Sequence, residues 1–201
     1  IKEMHKILLD NVRGQNKSPG EFKTEQNYIG NSAEITFTPL PPELTQDYMA
    51  NFEQYIHFDE VDLLVQAALI HCQFEMIHPF KDGNGRIGRL LIPLFLYYRE
   101  MLPVPTFYMS AYFEKDRTMY LEKLSAVSQK NDYATWIKYF LEGVIQQAEI
   151  NTLKAKALLD RYNEFKDICI SGMSSKYAIP LLDEIFQRPA FKAKQIQEVI
   201  P

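Results

Sequence analysis

The sequence predicts an all-α domain that carries a single β-hairpin, and two observations support this fold class. From residue 44 onward, apolar residues recur at the three- and four-residue spacing of helices that bury one face. Before that point, residues 22–29 and 34–37 are typical of two short strands, with a turn at 30–32. With 46% hydrophobic and 24% charged residues, the composition is that of an ordinary globular protein and excludes disordered and collagen-like classes.

Proline, glycine and capping residues separate the predicted helices. Pro79 disfavours the α conformation at His78, so the buried helix before it should end near Ile77. Asp116 and Asp132 are predicted N-caps of the helices that follow them. In chain order, the predicted helices cover residues 4–12 (ended by Gly14), 44–56, 61–77, about 86–98, 116–127, 132 to about 170, 178–186 and 191–200.

Domain organisation, charge and cysteine content limit the function classes. We predict one core domain over residues 1–170, with the hairpin near 22–37, followed by a linker and a helical segment over 171–201. The formal net charge of −4 makes nucleic acid a poor candidate partner. No apolar run reaches the ~18 residues of a membrane-spanning helix, so no membrane is expected. Cys72 and Cys169 predict free thiols in a reducing compartment, hence the cytoplasm.

One segment concentrates residues with chemical potential. Residues 78–89 read His-Pro-Phe-Lys-Asp-Gly-Asn-Gly-Arg-Ile-Gly-Arg and lie between two apolar helices. Gly83 and Gly85 allow backbone torsions closed to other residues, so their N–H groups can form an anion nest. A helix that starts near Arg86 adds its unpaired N–H groups and the positive end of its dipole at the same point. The segment therefore predicts an anion site.

The charged side chains of this segment suit a polyphosphate. Arg86 and Arg89 are three residues apart on one helical face and match phosphate geometry bidentately. Asp82 is a hard oxygen ligand of the kind that Mg²⁺ shares with substrate phosphates, and His78 can take a proton near neutral pH. Taken singly, each has a structural alternative, such as a capping turn or a buried histidine. Together they predict a phosphate site with a metal ligand and a general base.

This segment resembles the Fic family motif, His-x-Phe-x-Asp/Glu-Gly-Asn-Gly-Arg-x-x-Arg, at all eight fixed positions. Residues 5–14 and 19–30 are similar to the upstream part of Fic proteins that carry a β-hairpin flap, and the resemblance covers residues 1 to about 150. It implies a Fic-type helical bundle and a protein adenylyltransferase, which uses Mg²⁺ and moves AMP from ATP to a Ser, Thr or Tyr hydroxyl of a target protein or of itself.

The resemblance also implies a role for each motif residue. His78 would deprotonate the incoming hydroxyl, and Asp82 would hold Mg²⁺ on the α and β phosphates. Arg86 would stabilise the charge that shifts toward the leaving group, and Arg89 would hold the γ-phosphate. The anion hole would be formed by three consecutive residues, Gly83, Asn84 and Gly85.

Two regions outside the motif have implied roles as well. Tyr120 and Leu124 match positions near the adenine in related Fic proteins, although Leu121 stands where a second tyrosine is found, and an ordinary core aromatic is the alternative for Tyr120. The hairpin would dock the target protein by β-augmentation, and a small structural hairpin is the alternative. The docking residues would be Asn27, Tyr28, Ile29 and Gly30.

Several alternatives stay open at this point. The enzyme could instead transfer another phosphate-containing group or remove AMP, or the chain could be a regulator that senses nucleotide and binds DNA. No segment matches the family's inhibitory helix, Ser/Thr-x-x-x-Glu-Gly/Asn, which we expect to precede Ile1; a protein without such a helix is the second option. Residues 178–201 resemble the truncated start of a winged-helix module or form a plain helical extension. A homodimer is a further option.

Overall fold

The computed structural model of the chain describes residues 1–10, 17–30, 35–172, 175–188, 190 and 192. Within these residues it confirms the predicted all-α fold with one antiparallel hairpin. Two compact units are present, Ile1–Ala148 and Glu149–Pro201. The elements are α1 (Lys2–Leu9), β1 (Ile29–Gly30), β2 (Ile35–Phe37), α2 (Pro42–Ile56), α3 (Leu63–Ile77), α4 (Asn84–Tyr98), α5 (Ser110–Lys115), α6 (Arg117–Lys130), α7 (Tyr133–Gly172) and α8 (Ala178–Gln187).

Helices α3 and α4 form the centre of the first unit. Helix α3 packs against α2, α4 and α6, while α1 packs against α4. Asp62 begins α3 by accepting hydrogen bonds from the N–H groups of Leu64 and Val65. Large side chains such as Phe74 and Ile77 are fully enclosed, and each contributes about 1.5–3 kcal/mol by burial. The packed helix pair gives the loop between α3 and α4 two rigid ends.

An aromatic cluster holds α6 and the start of α7 against α3. The buried Trp136 donates its Nε1–H to the carbonyl oxygen of Ala68 at 2.8 Å. Phe113 stacks on Tyr120 with ring centroids 4.7 Å apart, and Trp136 lies 6.2 Å from the same tyrosine. Tyr120 is therefore a member of the core, which was one of its two predicted interpretations.

The first predicted strand is much shorter than expected. Residues 22–28 do not form a strand, and only Ile29–Gly30 pairs with Ile35–Phe37, with Ile29 opposite Phe37. The preceding residues are irregular because their polar side chains bond backbone elsewhere; Gln26, for example, donates to the carbonyl oxygen of Pro39 at 3.0 Å. Helix α1 ends at Leu9 because the backbone of Asp10 is extended, so the prediction that this helix runs to residue 12 is wrong. The predicted turn at 31–32 lies outside the described residues, as do the predicted stop of that helix at Gly14 and the predicted helix 191–200, apart from Lys192.

Most other predicted boundaries agree with the structure. Helix α3 ends at Ile77, and Asp116 and Asp132 cap the following helices by accepting from Met119 N and Thr135 N. Helix α4 begins at Asn84 rather than near Arg86 because Gly83 already forms its N-cap. The short helix α5 was not predicted. None of the described helices combines the length and apolarity that crossing a membrane requires.

The second unit contains the end of α7 and helix α8. Tyr162 donates its hydroxyl hydrogen to Asp183 Oδ1 at 2.6 Å, and its ring meets Phe186 edge-on at 5.3 Å. The predicted domain boundary at residue 170 falls inside α7 and stays a prediction. The likeness of residues 178–201 to a winged-helix module also stays a prediction.

Candidate functional site

One cavity of about 1130 Å³ in the first unit gathers most of the predicted site residues. Its walls come from the loop between α3 and α4, from the first turns of α4, from α6 and from the hairpin. The predicted residues that line it are His78, Asp82, Gly83, Gly85, Arg86, Arg89, Tyr28, Ile29, Gly30, Tyr120 and Leu124. The two predicted asparagines, Asn27 and Asn84, instead bond the backbone of the loop.

The motif loop, residues 78–83, is held by those two asparagines. Asn84 Oδ1 accepts from the Phe80 N–H at 2.8 Å, and its Nδ2 donates to the Phe80 carbonyl oxygen at 2.6 Å. Asn27 Nδ2 donates to the carbonyl oxygens of His78 and Phe80, both at 3.0 Å. Because these bonds satisfy buried backbone groups, they fix the loop conformation. The side chains of both asparagines therefore stabilise the backbone of the motif loop.

A histidine from α1 supports the same loop. His5 is fully buried and stacks on Phe80 with ring centroids 3.7 Å apart. Its Nδ1 accepts from the Gly20 N–H and its Nε2–H donates to the Asp82 carbonyl oxygen, both at 2.9 Å. A ring with one donor and one acceptor nitrogen is neutral, in agreement with the lowering of the His5 pKa by burial. The neutral imidazole thus links α1 to the motif loop through hydrogen bonds and stacking.

The backbone at His78 has an uncommon conformation. Its φ of 48° and ψ of 60° place it in the left-handed region, where its N–H closes α3 on the Phe74 carbonyl oxygen at 2.9 Å. Such a conformation costs a non-glycine residue about 1–2 kcal/mol. Lys23 helps to offset this cost, since its buried ammonium group donates to the Ile77 carbonyl oxygen at 3.2 Å. With this backbone conformation, the His78 side chain lines the cavity.

His78 is a neutral imidazole at neutral pH. Burial, reinforced by the positive charge of Lys23, lowers the pKa of His78 to about 4. Its Nδ1 lies 3.3 Å from the carbonyl oxygen of Glu75. A carbonyl oxygen only accepts, so Nδ1 carries the hydrogen and Nε2 keeps its lone pair. The ring can therefore accept a proton at Nε2.

Asp82 presents a carboxylate at the cavity wall. Its Oδ1 accepts from the Gly83 N–H at 2.6 Å, and its Oδ2 lies 3.8 Å from Arg86 Nη2. Among the described residues there is no cluster of three or more acidic, histidine or cysteine ligands. A divalent ion at Asp82 would therefore need oxygens from substrate and water, which is the usual way in which Mg²⁺ binds beside phosphates. The residues present fit such an ion.

The N-terminus of α4 opens into the cavity. Gly83 has a φ of 83°, and a Cβ on it would lie 3.3 Å from His5 Nε2, so other residues would be strained there. Since glycine has no side chain and no side-chain cap hydrogen bond is present among the described residues, the N–H groups of Asn84 and Gly85 are available to an anion, together with the helix dipole. Arg86 and Arg89, on the first two turns of α4, both line the same cavity.

Helix α6 contributes an aromatic and an aliphatic side chain, Tyr120 and Leu124, to the cavity wall. Tyr120 donates its hydroxyl hydrogen to His71 Nε2 at 3.1 Å, and His71 Nδ1–H donates to the Gly88 carbonyl oxygen at 2.9 Å. Burial lowers the pKa of His71 to about 4, so this ring is neutral as well. The hydroxyl of Tyr120 is therefore engaged within the protein. Its ring and Leu124 supply a flat and apolar wall, which suits the face of a purine.

Sequence reasoning missed three residues that shape the site, namely His5, Lys23 and Glu75. Glu75 lines the cavity and shares a face of α3 with His78, three positions away, so its helical spacing was the available signal. His5 and Lys23 act across 77 and 54 residues of sequence. No local sequence pattern predicts such contacts, because they depend on the packing of α1 and of residues 22–28 against the loop.

Comparison with known proteins identifies the domain. Residues 1–96 match the profile of the Fic/DOC family. This segment belongs to the Fic/DOC family. Two solved structures share the fold. A Fic family protein from Desulfovibrio desulfuricans G20 is 17% identical with a TM-score of 0.66, and the match covers 99% of this chain and 55% of that one. A Fic-domain signalling protein from Bacteroides thetaiotaomicron is 24% identical with a TM-score of 0.57, and the match covers 73% of this chain and 58% of that one.

Curated relatives of the Fic domain are named as adenylyltransferases. Protein adenylyltransferase fic-1 of Caenorhabditis briggsae is 33% identical over 107 residues, which is 52% of this chain and 20% of that protein. A probable protein adenylyltransferase of Aquifex aeolicus is 30% identical over 61% of this chain and 39% of its own length. Protein adenylyltransferase Fic of Drosophila melanogaster is 36% identical over 46% of this chain and 18% of its own length. The chain thus spans well under half of each relative.

Proposed function

We propose that the chain is a protein adenylyltransferase, which moves AMP from ATP to a hydroxyl group of a target protein or of itself. The observation that carries the proposal is the single cavity in which a neutral histidine, a carboxylate, a helix N-terminus and two arginines face the hairpin. The names of the relatives from Caenorhabditis briggsae and Aquifex aeolicus support the same reaction. The residues that bear it in this chain are those of the motif loop and α4.

The transfer would use positioning and electrostatics rather than a covalent intermediate. His78 Nε2 takes the hydroxyl proton while the hydroxyl oxygen attacks the α-phosphorus. The bond from the α-phosphorus to the bridging oxygen breaks, and pyrophosphate leaves. Arg86 and Arg89 offset the charge that the departing phosphates gain, and the N–H groups at the start of α4 hold the α-phosphate oxygens. The neutral state of His78 at pH 7 is the state that this role requires.

Mg²⁺ and the adenine would be held by different residues of the cavity wall. Asp82 is the residue that would hold Mg²⁺, and the bound ion would supply charge neutralisation of the phosphates. Its carboxylate side chain is 37% exposed and already oriented by the Gly83 N–H. The Tyr120 ring and Leu124 would enclose the adenine.

The target protein would bind along the hairpin. Tyr28 is 58% exposed and, with Ile29 and Gly30, lines the cavity into which His78 opens. A target segment that pairs with β1 would bring its hydroxyl toward the base through backbone hydrogen bonds, independently of most of its sequence. ATP and a protein with an accessible hydroxyl are thus the proposed partners. A cytoplasmic setting is proposed from the two free thiols, Cys72 and Cys169.

Labelled ATP tests this reaction class directly. The chain is incubated with Mg²⁺ and with ATP labelled on either the α- or the γ-phosphate, alone and with cell lysate. We expect protein-bound label from α-labelled ATP only. A control variant, Glu43→Gln, changes an exposed side chain on α2 and should incorporate as much label as the wild-type chain. Incorporation of γ-label instead would indicate transfer of a different phosphate group. No incorporation of either label, into the chain or into lysate proteins, would contradict the proposal.

A further inference from the structure

Glu75 is a buried carboxylate that the reaction as described so far does not use. It lies in the last turn of α3, lines the cavity, and is only 8% exposed. Its Oε1 is enclosed and has no hydrogen-bond partner among the described residues. This oxygen lies so close to Gly88 that a Cβ at that position would collide with it. A carboxylate kept in such a place costs free energy unless it serves a partner.

The partner that the geometry offers is His78. Glu75 Oε2 lies 3.6 Å from His78 Nδ1, on the side of the ring opposite to Nε2. The same nitrogen is 3.3 Å from the carbonyl oxygen of Glu75, so one residue faces Nδ1 with two acceptor oxygens. At this distance the carboxylate is within ion-pair range of the ring and is placed to bond Nδ1 when the ring becomes positively charged.

The other ionisable groups around Glu75 come from each element packed against it. Among the described residues, Arg89 on α4 is the positive neighbour that acts on it, and it favours the ionised carboxylate. Cys72 on α3 and Tyr120 on α6 are neutral at pH 7, since burial raises the pKa of both. His78 is neutral in the free protein. Glu75 is thus the negative group nearest to the side of His78 that faces away from the substrate.

We propose that Glu75 is a positioning residue of the transfer reaction: it orients the His78 ring through Nδ1 and balances the positive charge that the ring acquires at Nε2. This inference rests on the proposed function. When His78 takes the hydroxyl proton, the neutral ring becomes an imidazolium with a hydrogen on each nitrogen. The Nδ1–H then donates a charge-assisted bond to Glu75 Oε2, which stabilises the imidazolium during transfer.

Because the proposed role needs an ionised Glu75, the transfer rate should depend on pH. Burial raises the pKa of Glu75 to about 7, against the opposing effect of the Arg89 charge. As the pH falls through this value the carboxylate becomes neutral and no longer balances the imidazolium. The transfer rate should therefore fall below about pH 7, whereas protonation of His78 itself would inhibit only near its own pKa of about 4.

Glu75→Gln tests the role because it keeps the shape and removes the charge. We expect kcat for AMP transfer to fall about 10- to 1000-fold, the rate equivalent of a charge pair at 3.6 Å, with no weakening of ATP binding. The loss of rate below pH 7 should disappear. Glu43→Gln on α2 is the matched control and should keep the wild-type rate and profile. A Glu75→Gln enzyme with kcat within twofold of wild type, or with the same acidic limb, would overturn the proposal.

A second readout does not depend on transfer. In the wild-type protein, the ring nitrogen signals of His78 in ¹⁵N NMR should shift with a midpoint near pH 7, because they sense the charge of Glu75. This component should be absent in Glu75→Gln, which keeps only the effect of Lys23, whose pKa burial lowers to about 8. A His78 signal that is insensitive to pH around 7 in the wild type would overturn the proposal. If the shift is present but the wild type transfers no AMP, the proposed function fails while the contact between the two side chains stands.

Discussion

Replacement of Asn84 by alanine should destabilise the first unit through two backbone groups of Phe80. The Phe80 N–H would lose its partner, Asn84 Oδ1, and an unsatisfied buried donor costs about 1–3 kcal/mol. The Phe80 carbonyl would lose one of two donors and keep Asn27, at a cost of about 0.5–1.5 kcal/mol. We therefore expect a loss of about 2–4 kcal/mol in the free energy of unfolding, or roughly 4–16 °C in Tm.

The fluorescence of Trp136, the only tryptophan in the chain, reports this change in urea. It is buried in the same unit, so its signal follows the unfolding of the domain that holds the loop. Asn51→Ala is the control, since Asn51 is exposed on α2 and should change the free energy of unfolding by about 0.5 kcal/mol or less. If Asn84→Ala were as stable as the control, the asparagine would not hold the loop as we describe.

Three further substitutions probe separate parts of the cavity. Asp82→Asn should raise the Mg²⁺ concentration needed for half-maximal transfer, because the carboxylate charge holds the ion; an unchanged titration would place the ion elsewhere. Arg89→Ala should lower the affinity for ATP more than that for AMP, measured by calorimetry, since only ATP has a γ-phosphate for this side chain; equal losses would argue against that contact. Tyr120→Phe should leave ATP affinity within about threefold but reduce the free energy of unfolding by about 1 kcal/mol, because its hydroxyl bonds His71 and not the nucleotide; a large loss of affinity would contradict this.

The motif chemistry could be predicted because its residues are adjacent in sequence. Residues 78–89 supply a histidine, a carboxylate, a helix N-terminus and two arginines within one local segment, and the helices on both sides follow from apolar spacing and from Pro79. The exact start of α4 was two residues off, since Gly83 caps the helix before the apolar pattern begins. Local signals therefore sufficed to predict that these residues lie together, as most of them do around one cavity.

The support of the loop could not be predicted because it depends on contacts between distant segments. The predicted strand over 22–29 is mostly absent. The side chains of Lys23 and Asn27 donate to carbonyl oxygens of Ile77 and of the motif loop, and residues 22–28 are irregular instead of pairing in a ladder. The stacking of His5 on Phe80 likewise arises only when α1 is packed against α4. Such contacts follow from the tertiary fold and leave no periodic pattern in the sequence.

The most direct test of the central claim is a paired measurement on His78→Ala. The histidine is proposed to move a proton, whereas binding of ATP is proposed to depend on the N-terminus of α4 and its arginines. We therefore predict that the variant binds ATP, in calorimetry with Mg²⁺, within about threefold of wild type, while its rate of AMP transfer falls by about 10²- to 10⁴-fold. Transfer at close to the wild-type rate would contradict the assignment of His78 as the base.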